Sequence, residues 1–277
     1  MKRFLFSFLL VIALALPFSM KAQTLDTIAI DMGIRASVGV DKMIVKGLHV
    51  SLQEEARIDN ILGDRNRLQT TLSVNYKFHT NFKAGLGYAL INGFDTSADA
   101  FKPVRHRLMV DVKGTLIWGD WNISLKERIQ LTHRTGDYNM YEHPANALVL
   151  KSRLTFKYAD FDSFEPYLSL EMSNRLNAPR IEASFDGENY YTLDTNEQEG
   201  EPGWFLKGFN RFSINRLRAV LGGDVKINRH NTLNVYVMGD LNADFNVDAN
   251  ASGTILEDYS IGLELAARVG VSYMFSF

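Results

Sequence analysis

From Ile261 to the last residue every second position is apolar: Ile261, Leu263, Leu265, Ala267, Val269, Val271, Tyr273, Phe275 and Phe277. The other phase holds Gly262, Glu264, Arg268, Ser272 and Ser276. A period of two marks a strand with one face against apolar surroundings. The alternation is cleanest over 66–78, where Leu68, Thr70, Leu72, Val74, Tyr76 and Phe78 oppose Arg67, Gln69, Ser73, Asn75 and Lys77. Related segments are 31–44, 47–58, 82–91, 104–117, 121–133, 147–158, 166–176, 211–227 and 232–242. Each is near the ~10 residues that a tilted strand needs to cross a bilayer. No segment beyond the amino-terminal 22 residues carries a helical period.

The connections alternate in length. Short ones fall at 45–46, 79–81, 119–120, 159–165 and 228–231, and long ones at 59–65, 92–103, 134–146, 177–210 and 243–258. Short periplasmic turns and long extracellular loops distinguish outer-membrane barrels. Phe78 and Phe82, Trp118 and Trp121, Tyr158 and Tyr167 flank short turns, where an interfacial aromatic girdle belongs. The pattern therefore predicts an all-β fold: a closed antiparallel transmembrane β-barrel of about 12 strands, within 10–14. Eleven segments are legible, whereas single-chain bacterial barrels have even numbers, so a twelfth strand is expected from Thr24–Asp31 or inside a segment read as one. A soluble β-sandwich fits alternation alone, but not the girdle, the loop alternation and the terminal Phe together.

Residues 1–22 combine Lys2 and Arg3, an apolar run from Phe4 to Leu16, and a small residue at Ala22. This is a secretory signal peptide, too short to span, which leaves 23–277 as the barrel domain. Across all 277 residues the mean hydropathy of −0.12 excludes a bundle of spanning helices. The absence of Cys excludes disulfides, thiolate metal sites and a lipoprotein anchor. Without residues 1–22, 27 Lys and Arg face 32 Asp and Glu, a net of −5 that gives no case for nucleic acid.

Assigning the apolar phase to lipid assigns the other phase to the lumen. There, 18 bases oppose eight acids: Asp41, Glu55, Asp59, Asp111, Glu171, Asp224, Asp240 and Glu264. The remaining acids concentrate in 177–210 and 243–258. A basic lumen attracts anions, and acidic loops suit divalent cations bridging to lipopolysaccharide; the alternative is an interior filled by ion pairs. Glu54 and Glu127 break the lipid phase, each either paired with Arg57 or Arg128 on its own strand or turned inward by a β-bulge.

For chemistry, His49-Val50-Ser51 is similar to the His-x-Ser pair of outer-membrane lipid hydrolases, yet both side chains fall in the lumen phase and no third orienting group is identifiable. His106, His133 and His143 give no metal-ligand spacing, and no cofactor motif is present. An enzyme is not expected.

Leu52 to Arg57 with its Glu54-Glu55 pair, His106-Arg107 at a strand start, and Arg216-Leu217-Arg218 after the longest loop carry a resemblance. The chain resembles a family of uncharacterised Gram-negative outer-membrane β-barrels, a domain of unknown function. The resemblance implies an outer-membrane barrel and supplies no activity, ligand or catalytic residue. The leading expectation is a narrow passage or binding site for a small anionic solute. Its arginines would be Arg57, Arg107, Arg128, Arg153 and Arg218, oriented by Glu55 and Glu171. The second expectation is a structural or surface-interaction barrel acting through the acidic loop around Tyr190, Tyr191 and Trp204. Expected partners are outer-membrane lipid, lipopolysaccharide, and the barrel-assembly machinery, reached through Tyr273, Phe275 and Phe277.

Overall fold

The computed structural model describes residues 29–58, 66–95, 99–136, 139–140, 142–184, 203–249 and 256–277. Among them every regular element is a strand: β1 (Ala29–Val45), β2 (Leu48–Ile58), β3 (Asn66–His79), β4 (Phe82–Asp95), β5 (Ala100–Phe101), β6 (Arg105–Trp118), β7 (Trp121–Arg134), β8 (Asn146–Tyr158), β9 (Phe164–Ser184), β10 (Gly203–Lys226), β11 (Asn231–Ala249) and β12 (Leu256–Ser276). No helix of the described residues is long and apolar enough to cross a membrane. Consecutive long strands pair as antiparallel hairpins, and β1 meets β12, so the sheet closes on itself.

Eleven strands are long; β5 is a two-residue ribbon on β4, where Phe94 and Phe101 meet edge to face at 5.2 Å. The wall thus has an odd number of strands, and the fully antiparallel closure expected from parity gives way. With eleven alternating strands the first and last run the same way, so β1 and β12 pair in parallel, residues 29–41 against 264–276. No twelfth long strand lies within Ala29–Val45; residues 24–28 fall outside the described residues. Ala29 is consequently at the end of the barrel opposite the short turns, while Phe277 is beside them.

The reason these segments pair as they do is the alternation itself. Outward side chains such as Leu86, at 64% exposure, and Leu221, at 61%, leave an apolar exterior, while Glu171, Asp240 and Arg268 are buried inside. A sandwich would invert this arrangement. Moving a Leu- or Phe-sized side chain from water to an apolar medium gains about 1.5–3 kcal/mol, so this exterior belongs in hydrocarbon. Gly47 and Gly119, at φ +84° and +57°, make two of the tight turns.

Aromatics cluster at the short-turn end: Phe78 stacks on Phe82, and Trp121, Tyr158 and Phe161 pack edge to face. Tyr167 departs from the expected girdle. It shares the phase of Glu165 and Ser169, pairs in register with Lys157, and shares a hydrogen bond with Asn234 inside the barrel. The segment 177–210 is also not one loop, because β9 continues to Ser184 and β10 starts at Gly203, paired through several bulges. Likewise β11 and β12 extend to Ala249 and from Leu256. Bulges let this long hairpin twist while it continues beyond the wall.

Candidate functional site

The interior is organised by register. One lumen-facing row passes directly from strand to strand: Lys83 on β4, Lys113 on β6, Lys126 on β7, Arg153 on β8, Glu171 on β9, Arg218 on β10 and Asp240 on β11. The next row holds Asp111, Arg128, Lys151, Ser173, Arg216, Asn242 and Glu264. In these two rows cations dominate the β4–β8 wall, where Asp111 on β6 is the one acid, and the other carboxylates sit on β9–β12 beside Arg216 and Arg218.

The carboxylates are engaged. Glu171 accepts from Arg153 at 2.5 Å and Arg216 at 2.7 Å. Asp240 accepts from Arg218 at 2.5 Å and Arg268 at 2.6 Å, and Arg268 continues to Asp31 at 3.2 Å. Asp111 accepts from Arg128 at 2.5 Å and Lys126 at 2.8 Å. Near the short turns Glu165 holds Lys157 and Lys226, and Asp224 holds Lys157. Asp31 and Glu165 are lumen acids that the sequence count omitted, because each lies at the edge of its alternating segment; Asp59 lies outside the described residues.

Of the expected cluster, Arg57 binds Glu55 on its own strand, Arg128 is tied to Asp111, Arg153 to Glu171, and Arg218 to Asp240. Arg107 differs. Its Nε donates to Thr132 Oγ1 at 2.9 Å, and no carboxylate among the described residues pairs with it. It lies within electrostatic reach of Arg57, Arg128 and Arg216, which stand on β2, β7 and β10. Strands β2, β6 and β10 are not neighbours, so these guanidinium groups converge across the lumen. Lys151 joins them, within electrostatic reach of Arg107, Arg216 and Arg218 and of Glu171, and it too makes no ion pair among the described residues. Lys151 and Arg216 were missing from the sequence-derived cluster. Both were legible as lumen residues; only the closed wall brings them within electrostatic reach of Arg107.

Glu54 and Glu127 remain on the outer phase. Register runs through both without a bulge, which removes the inward-turn expectation, and the arginines beside them are engaged inside. Glu127 Oε2 accepts from Ser152 Oγ at 2.6 Å across the outer face, and Glu54 stands between Val38 and Thr70.

His49 does have an orienting group: its Nδ1 lies 2.8 Å from Asp41 Oδ2. This carboxylate was invisible in sequence because it comes from the neighbouring strand. Ser51 Oγ, however, is hydrogen-bonded to Ser73 Oγ at 2.7 Å, so the nucleophile-to-base contact that such chemistry requires is not made. His106 Nδ1 meets Tyr88 Oη at 2.6 Å on the outer face, and His133 Nδ1 meets Asn146 Oδ1 at 2.9 Å. In the connection after β7, burial and then Arg134 hold His143 below the ordinary imidazole range. No group of three His, Asp or Glu among the described residues is arranged to hold a metal.

A closed strand wall, apolar outside and charged within, is a membrane-spanning β-barrel. The chain belongs to the DUF2490 family, described as a protein of unknown function, whose model matches residues 36–251. Comparison with curated proteins finds no match. Among solved structures the chain is similar to a NanC porin in a rhombohedral crystal form, at 13% identity and TM-score 0.41, covering 83% of this chain and 95% of that one. It is also similar to the outer-membrane expressed OmpT of Vibrio cholerae, at 10% identity and TM-score 0.31, covering 79% of this chain and 60% of that one. At such distances the likeness carries no functional argument, and the fold rests on the strand pairing above.

Proposed function

We propose that the protein is an outer-membrane β-barrel of a Gram-negative bacterium whose basic lumen binds and passes a small anionic solute. The observation that supports this reading is the convergence of Arg107 and Lys151, two lumen cations without an ion pair among the described residues, with Arg57 and Arg216 from other walls. Cations gathered in a narrow low-dielectric channel raise the local concentration of anions, and guanidinium forks suit carboxylate or phosphate oxygens. In this reading residues 1–22 direct export and are removed. Short turns then face the periplasm, lipid and lipopolysaccharide surround the wall, and Tyr273, Phe275 and Phe277 present the last strand to the assembly machinery.

Refolding the barrel into planar bilayers and measuring conductance and reversal potential in a salt gradient tests the proposal. The expected result is a steady anion-preferring conductance whose reversal potential moves toward zero in Arg107→Gln and Lys151→Gln. Cation preference would overturn the anion reading, and silence from a demonstrably folded barrel would mean that the ion pairs of Glu171, Asp240 and Asp111 fill the interior as a structural core.

A further inference from the structure

Lys83, Lys113, Lys126 and Arg153 occupy directly opposed positions on four consecutive wall strands, β4, β6, β7 and β8. Like charges directly opposite one another destabilise a sheet. Here the repulsion is only partly relieved. Lys126 reaches Asp111 and Arg153 reaches Glu171, but neither Lys83 nor Lys113 makes an ion pair among the described residues. Lys113 is also within electrostatic reach of Lys83, Lys157 and Arg153 as well as Asp224, which is itself held by Lys157. Among the described residues, Lys83 and Lys113 are the two members of this set left without a carboxylate partner.

The row has a direction. Lys83 is one residue from the start of β4 at the short-turn end, whereas Lys113, Lys126 and Arg153 each stand five residues from the short-turn ends of β6, β7 and β8. Hydrogen-bonded rows run perpendicular to strands that tilt by about 35–45° in a barrel, so the row leads obliquely from Lys83 at the short-turn mouth to the three cations deeper in the lumen. With neighbouring strands about 4.8 Å apart, their backbone positions span roughly 14 Å. Beyond Arg153 the row meets Glu171, within electrostatic reach of Lys151.

We infer that this oblique row is a track for an elongated multivalent anion, one whose negative groups are strung along its length and occupy several cations at once. The inference rests on the anion reading above and narrows its ligand class. A monovalent ion touches one step of the track, whereas a chain of charges engages several, and linked contacts multiply because each later one is intramolecular.

Inorganic tripolyphosphate and orthophosphate, added from the short-turn side at matched ionic strength, are the probes for block of the bilayer conductance. Tripolyphosphate is expected to block at a concentration at least about tenfold lower, a difference of ~1.4 kcal/mol. The double variant Lys83→Gln/Lys113→Gln removes no carboxylate partner and is expected to erase most of that advantage. Equal potency of the two phosphates, or an unchanged advantage in the variant, overturns the track while leaving anion selectivity standing. Should the barrel conduct nothing, the passage reading fails separately. The track is then read from the rise in melting temperature of the detergent-folded barrel with tripolyphosphate. A rise lost in the double variant supports it; no rise overturns it.

Discussion

Asp240, 1% exposed, takes its two oxygens to Arg218 and Arg268, and through Arg268 it is linked to Asp31 on the far side of the closing seam. A buried ion pair contributes little compared with an apolar replacement of the whole set, but removing one partner strands the others. Asp240→Ala is expected to cost about 3–5 kcal/mol in urea unfolding of the lipid-embedded barrel, because two guanidinium groups lose their carboxylate together. A loss under about 1 kcal/mol would show that water enters and screens the cluster. Close packing acts at the same scale. The Tyr236 ring lies over Gly270 and its Cβ beside Gly222, so a Cβ at Gly270 would come within 2.2 Å of the ring. A side chain there displaces the ring that crosses these strands, and these two glycines are matched to one aromatic. Which lumen residues are charged was readable from the sequence. Which carboxylate each cation takes was not, since Asp41 meets His49, and Glu171 meets Arg216, only through the register of paired strands, and Arg268 meets Asp31 only when the two ends of the wall lie side by side.

At the scale of elements the seam is the unusual feature. Parallel pairs have slanted hydrogen bonds and are slightly less stable per residue than antiparallel ones. Here β1 and β12 compensate by length, and Ser37 Oγ donates to Ser272 Oγ at 2.7 Å across the seam. The chain has no Cys, so Ser37→Cys/Ser272→Cys is a clean probe. Mild oxidation of the folded barrel is expected to give a cross-linked species with altered gel mobility that reverts under reductant. An antiparallel seam built with an extra strand would separate these positions and give no cross-link. The alternation made eleven hairpin-connected strands and their faces legible, but parity misled. An even count is a habit of such barrels, whereas the actual constraint is that every edge be paired. A parallel seam meets that constraint with eleven. The outward carboxylates were misjudged at the same level: a bulge was the natural way to hide Glu127, but register is unbroken and Ser152 on the next strand satisfies one of its oxygens instead.

The whole molecule inherits an asymmetry from its seam: Ala29 and Phe277 lie at opposite ends of the wall. With short turns in the periplasm, an epitope inserted immediately before Ala29 is expected to be reached by antibody on intact cells, and one appended after Phe277 only after the envelope is opened. The reverse pattern would invert the barrel. The sequence by itself determined the class of the molecule, because a period of two makes a wall with two chemically opposite faces, and the alternation of short and long connections with aromatics at the short turns put the apolar face outside. It also determined the surplus of bases inside. Tertiary structure alone decided how the wall closes, since closure depends on which edges meet and not on any local pattern. It alone also separated the cations already bound by Glu171, Asp240 and Asp111 from Lys83, Lys113, Arg107 and Lys151. Charge pairing across a barrel is set by register between distant strands, and no periodicity within one strand encodes it.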